Sequence, residues 1–126
     1  VSYRSAGDSD TEAIRLTFED AFTEKRYAAA QELGGELTKR SAAVPRDRLN
    51  LGLAYMLGED LPQATVEFRK LIDAEGELLT EAHYYLGLTL LLQGDTEGGL
   101  AELRLIKVTD GIIIYDKAQE LLTAKW

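Results

Sequence analysis

Apolar residues from Pro45 to Gly76 return at spacings of three and four, the period of a helix face, without the strict alternation of a half-buried strand. Leu49, Leu51, Gly52, Leu53 and Tyr55 form one set, Gly58-Glu59-Asp60 interrupts it, and Ala64, Phe68, Leu71 and Ile72 form a second. The pattern predicts two helices and a tight turn. It recurs from Thr80 to Gly111, with Tyr84, Leu86, Gly87, Leu88 and Leu90, then Gly94-Asp95, then Gly99, Leu103 and Ile106, so that Gly87 lies 35 residues after Gly52. Pro45 suits a first helical position, where no amide proton is needed, and Thr80 suits an N-cap.

A more degenerate copy comes first: Asp10 or Thr11 as cap, Ile14, Phe18, Ala21 and Phe22, a turn at Lys25-Arg26-Tyr27, then Ala30, Leu33 and Leu37. Ala30 precedes Ala64 by 34 residues and Phe18 precedes Gly52 by 34, although the glycine is replaced by phenylalanine. The predicted hairpins therefore span about 11–42, 45–76 and 80–110, after a flexible segment over residues 1–10. Ala118, Leu121 and Leu122, opposite Asp116, Lys117 and Glu120, predict a capping helix over 115–126 that covers the last hairpin's apolar face. The β-branched run Ile112-Ile113-Ile114 admits a short strand instead, though with no evident partner.

Glycine inside a helix costs about 0.5–1 kcal/mol relative to alanine, so Gly52 and Gly87, recurring in register, imply a close helix approach that outweighs the loss. Ala64 and Gly99 offer the same room on the second helices. The pattern Leu51-Gly52, Tyr55, Ala64, Phe68, Leu71, repeated as Leu86-Gly87, Leu90, Gly99, Leu103, Ile106, resembles the tetratricopeptide repeat. The resemblance covers about Thr11 to Trp126 and implies an all-α, right-handed α-solenoid of three hairpins and a capping helix. There are departures. Arg48 and His83 stand where that family often has tryptophan, Gly34-Gly35 falls where a bulky residue is usual and should kink or end its helix, and Gly76 and Gly111 replace an inter-repeat proline.

With 45% hydrophobic residues, the 126-residue chain can bury a core as one domain. Its 22 acidic against 14 basic residues give a net charge of −8, which repels nucleic-acid backbones and anionic membranes. Nucleic acid is excluded as the expected partner. With no cysteine, disulfides and thiolate chemistry are ruled out, while the compartment stays open between periplasm and cytoplasm. The run Leu90-Leu91-Leu92, bounded by Thr89 and Gln93, is far below the roughly 20 residues of a membrane span. Because the chain starts at Val1, it reads as a piece of something longer, and an upstream signal and a membrane tether both stay open; with the repeat and the absence of catalytic groups, the expectation is the soluble part of a larger bacterial protein.

In the family this chain resembles, the first helices line a concave groove for an extended peptide or partner helix. Matched residue by residue, the groove set is Arg15, Glu19 and Phe22, then Leu49, Leu53 and Met56, then Tyr84, Leu88 and Leu91, of which six are aliphatic, methionine or phenylalanine. An exposed stripe of this kind marks an interaction surface; covered by the capping helix or a second copy of the chain, it is ordinary core. Asn50 matches one asparagine of the cluster with which part of the family grips a terminal carboxylate. The other matching places hold Arg15, Glu19, Glu81 and Tyr85, and two acidic residues there argue against such a ligand.

His83, the sole histidine, reads as a helix-packing residue. Glu97, Glu102, Asp110 and Asp116 lack the spacing of a calcium loop and read as a solvated face. Gly34-Gly35 and Gly98-Gly99 lack the lysine and hydroxyl of a nucleotide loop, and Ser2, Ser5, Ser9 and Ser41 sit in no nucleophile elbow. The expectation is a binding scaffold for a protein or peptide partner, without enzymatic activity, metal or cofactor; the alternative is a homo-oligomerising structural domain using the same apolar surface.

Overall fold

A computed structural model describes residues 6–126, and among them all regular structure is helical. The helices are α1 (Ala6–Thr23), α2 (Tyr27–Thr38), α3 (Pro45–Leu57), α4 (Leu61–Ala74), α5 (Leu79–Leu92), α6 (Thr96–Leu103) and α7 (Ile112–Thr123), with a 3-10 turn at Val108–Asp110 before the last. Each helix packs on the one before and the one after it in the chain.

Two terminal expectations change. Residues 1–5 of the expected flexible segment lie outside the described residues, whereas Ala6 to Asp10 belong to α1, so Asp10 and Thr11 are interior residues instead of caps. Ile112 to Ile114 form the first turn of α7, because Ile114 and Tyr115 pack against a core cluster that a strand would leave uncovered. Thr80 is also displaced from its cap: α5 starts at Leu79, where buried Leu78 anchors the chain by packing instead of by a hydroxyl. Pro45 holds its expected first position in α3.

The core runs along the chain as three clusters, each drawn from successive helices. Phe18, Ala21, Ala30 and Ala54 join α1 to α3. Leu49, Ala64, Phe68, Leu71, Leu78, Ala82, Leu86 and Leu90 join α3 to α5, and Leu91, Leu103, Ile106 and Ala118 join α5 to α7.

Within each hairpin a large side chain lies over a glycine. A Cβ at Gly52 would stand 2.5 Å from the Phe68 ring, and one at Gly87 would stand 2.9 Å from Leu103 Cγ. Phe68 and Leu103 are 35 residues apart, as are the two glycines. In the first hairpin the sizes exchange sides: Phe18 occupies the place of Gly52, and Gly34 the place of Phe68, with a Cβ at Gly34 falling 3.1 Å from the Phe18 ring. The two departures noted in the sequence thus compensate each other. Contrary to expectation, α2 continues past Gly34-Gly35 to Thr38.

The turns repeat as closely. Lys25, Glu59 and Gly94 all take positive φ, at 61°, 66° and 87°. At each, two amides reach back into the preceding helix: Lys25 to Phe22 and Arg26 to Ala21, Glu59 to Met56 and Asp60 to Tyr55, Gly94 to Leu91 and Asp95 to Leu90. This satisfies carbonyls that the helix end would otherwise leave unpaired. Asp60 and Asp95 then cap the next helices, accepting from the Gln63 and Gly98 amides.

A Gly52→Ala substitution should destabilise the fold by about 1–3 kcal/mol, since buried Phe68 has nowhere to move. Gly35→Ala, where a Cβ would meet nothing within 4 Å, should stabilise it by about 0.5–1 kcal/mol. Urea denaturation monitored by circular dichroism measures both, and equal signs for the two would contradict the close-approach account.

Candidate functional site

The ten expected groove residues lie on α1, α3 and α5, but the fold does not treat them alike. Glu19, Phe22, Asn50 and Leu53 come together, with Phe18 and Thr23, around a cavity of about 140 Å³ between α1 and α3. Phe22 supplies its aromatic wall, edge-on to Tyr27 at 5.9 Å and tilted against Phe18 at 5.8 Å. Leu53 is half-buried against the central core, and Asn50 beside it brings an amide able both to donate and to accept. This end of the stripe is open.

Two expected members are corrected. Leu49 is 1% exposed and Leu91 is 8% exposed, and both belong to the core: Leu49 shares a cluster with Phe68 and Leu86, Leu91 with Leu103 and Ala118. Tyr84 packs half-buried on that last cluster together with Tyr115, Leu121 and Leu122 of α7. Burial, with the nearby charge of Glu120, holds its phenol above the usual range. Here the capping helix covers the stripe. Met56 packs half-buried on the central core, and Leu88 is half-buried on α5.

Arg15 does not line the cavity. Its Nε donates to Asp47 Oδ1 at 2.9 Å and its Nη2 to Asp47 Oδ2 at 2.7 Å, a two-pronged pair tying α1 to the start of α3, while Nη1 bonds Glu12. Asp47 also accepts the Val44 amide at 2.9 Å, capping α3. Burial alone would raise the Asp47 carboxyl, but the Arg15 and Val44 hydrogen bonds and the guanidinium charge bring it below its ordinary 3.8. The hydrogen bond to Asp47 raises Arg15 against the opposing effect of burial. The available signal for Asp47 was its place three residues after the Val44 cap, with proline between.

His83 bridges α5 to α6, its Nδ1 lying 2.7 Å from Glu102 Oε2. The same bridge appears 35 residues earlier as Arg48 Nη1 to Glu67 Oε1, at 2.6 Å across α3 and α4. Of the carboxylates considered as a cluster, Glu102 faces His83 and Asp110 accepts the Lys107 amide. Among the described residues no three His, Asp or Glu side chains converge as a metal site would require, and no helix is long and apolar enough to cross a membrane.

Comparison with models of known protein families gave no match, and comparison with curated proteins gave none.

Asp47→Asn removes the ionic half of the Arg15 pair and should cost about 2 kcal/mol at pH 7. Because the folded carboxyl titrates below its unfolded 3.8, this stability is complete above about pH 5 and lost as pH falls through the folded value. The stability gap between wild type and variant, from denaturation curves at pH 7, 4 and 2, should narrow on acidification; a constant gap would remove the ion pair as its cause.

Proposed function

We propose that the chain is a protein-interaction scaffold without chemistry of its own: a right-handed solenoid of three tetratricopeptide-like hairpins closed by α7, holding an extended peptide or partner helix on its concave face. The observation that carries this reading is the open cavity in which Glu19, Phe22, Asn50 and Leu53 meet. An apolar floor with one amide and one carboxylate at its edge suits a partner that inserts an apolar side chain and bonds its backbone to Asn50. The register shared by the three turns and the three glycine pairs supports the solenoid. Half-buried Met56 and Leu88 extend the surface towards α5, and methionine adapts to partners of different shape.

A second reading rests on a separate feature. Leu105, Val108, Ile112, Ile113 and Trp126 are all exposed near the C-terminal end, Ile113 at 72%, and such a concentration favours contact between copies of the chain. Light scattering across a hundredfold concentration range (roughly micromolar to sub-millimolar, where standard interfaces associate) distinguishes the two, since a monomer throughout removes self-assembly.

Leu53→Asp combined with Leu88→Asp should abolish partner recovery in crosslinking pull-downs, lowering it at least about tenfold, while the helical circular dichroism signal persists. Unchanged recovery from a folded double variant would defeat the groove assignment.

A further inference from the structure

The junction between α2 and α3 concentrates positive charge in an acidic chain. Lys39, Arg40, Arg46 and Arg48 fall within ten residues, although the net charge of the whole is −8. The one carboxylate in that stretch, Asp47, is buried and bound to Arg15 and the Val44 amide. It therefore offsets little of the surrounding charge.

A cavity of about 280 Å³ opens at this junction, lined by Thr38, Arg40, Ala43, Val44, Pro45 and Arg48. Arg48 is held from behind by one bond to Glu67, whose side chain is only 8% exposed. Its Nε and Nη2 donate to no partner among the described residues, so the guanidinium keeps free N–H groups. Arg40 has one bond, from Nη2 to Glu36 Oε1 at 3.1 Å, and that carboxylate is 57% exposed. Such a surface pair exchanges readily for a better ligand.

The geometry points to a phosphate-monoester site at the α2–α3 junction, in which Arg40 and Arg48 grip the phosphoryl oxygens and Ala43, Val44 and Pro45 wall a small organic stem. Two guanidiniums from separate helix ends match an anion with several peripheral oxygens, whereas one carboxylate satisfies a single fork. Each arginine also holds a glutamate, so an incoming phosphate has to displace the exposed Glu36 from Arg40, which its several oxygens do better than a single carboxylate fork. The site is separate from the α1–α3 cavity and independent of the scaffold reading.

The test is an amide and arginine Nε–Hε NMR titration of the full chain with methyl phosphate, inorganic phosphate and acetate at constant ionic strength. Saturable shifts confined to Thr38–Arg48 are expected with both phosphates, methyl phosphate binding more tightly and acetate at least about tenfold more weakly. Arg40→Gln should weaken methyl phosphate about five- to tenfold. Arg48→Gln also removes the hydrogen-bonded partner of buried Glu67, leaving it only Lys70 at 3.6 Å, so Arg40→Gln, which touches only an exposed partner, is the decisive variant. Lys117→Gln, on α7, controls for loss of charge alone and should change nothing. The site is overturned by shifts that do not saturate, by acetate binding as tightly as phosphate, or by an Arg40→Gln effect no larger than that of Lys117→Gln. Methyl phosphate binding no tighter than inorganic phosphate overturns the role given to the apolar wall.

Discussion

A large side chain laid over a residue that has none sets the distance between paired helices in this molecule. Phe68 covers Gly52, Leu103 covers Gly87, and Phe18 covers Gly34, so each hairpin contains one occupied and one vacant position facing each other. What recurs is one large side chain facing one that is absent, not the residue at either place. The third hairpin tightens this further: a Cβ at Gly99 would stand 2.8 Å from the Gly87 carbonyl, leaving room for neither to be alanine. Such pairing also fixes register, because sliding one helix by a residue would drive a ring into a side chain.

The turns and polar bridges follow from that register. Lys25 and Glu59 adopt the left-handed conformation that Gly94 adopts without steric cost. Two ordinary side chains accept the conformation because the stacked helices and their back-bonded carbonyls impose it, so packing overrides residue preference there. The bridging position shows the same freedom of means. It is Arg48 with Glu67 in one hairpin and His83 with Glu102 in the next, while the corresponding places in the first are Ile14 and Leu33, which need no charge at all. His83 therefore reads as one version of a helix-to-helix strut.

Helix number, turn positions and the close approach at Gly52 and Gly87 were legible in the sequence because each rests on local periodicity or on a missing side chain, and both are local signals. The exchange of Phe18 with Gly34 was not, since comparing repeats one position at a time registers two unrelated departures; only the packed pair shows that the large and the absent side chain have changed sides. Asp10 and Thr11 were misplaced as caps because α1 begins earlier, at Ala6, and Thr80 for a different reason. Hydroxyl and carboxylate preferences are worth about 1 kcal/mol, less than burying a residue such as Leu78. The β preference of Ile112 to Ile114 loses to the packing of Ile114 and Tyr115 on a core cluster, while Ile112 and Ile113 stay exposed. In the candidate site, matching by repeat position assumed that equivalent residues see equivalent surroundings. Leu49 is covered by Ala82 and Leu86 of the following hairpin, and Leu91 by Ala118 of α7, and these contacts have no trace in the spacing within a repeat.

The placement of α7 then decides which part of the apolar stripe stays uncovered. By drawing Tyr84 and Leu91 into its own cluster it closes the stripe at α5, and the cavity between α1 and α3 is left as the open end. That cavity carries Glu19 at its rim and so disfavours anions, whereas Arg48, two residues before Asn50, belongs to the cationic cavity at the α2–α3 junction. Residues two apart on a helix point to different sides. The first turns of α3 thus lie between an apolar cavity with a carboxylate at its rim and one lined by two arginines. Ligands of the two proposed surfaces would be sorted by charge before either made contact, and the buried Arg15–Asp47 pair, by fixing the start of α3 against α1, sets the orientation of both.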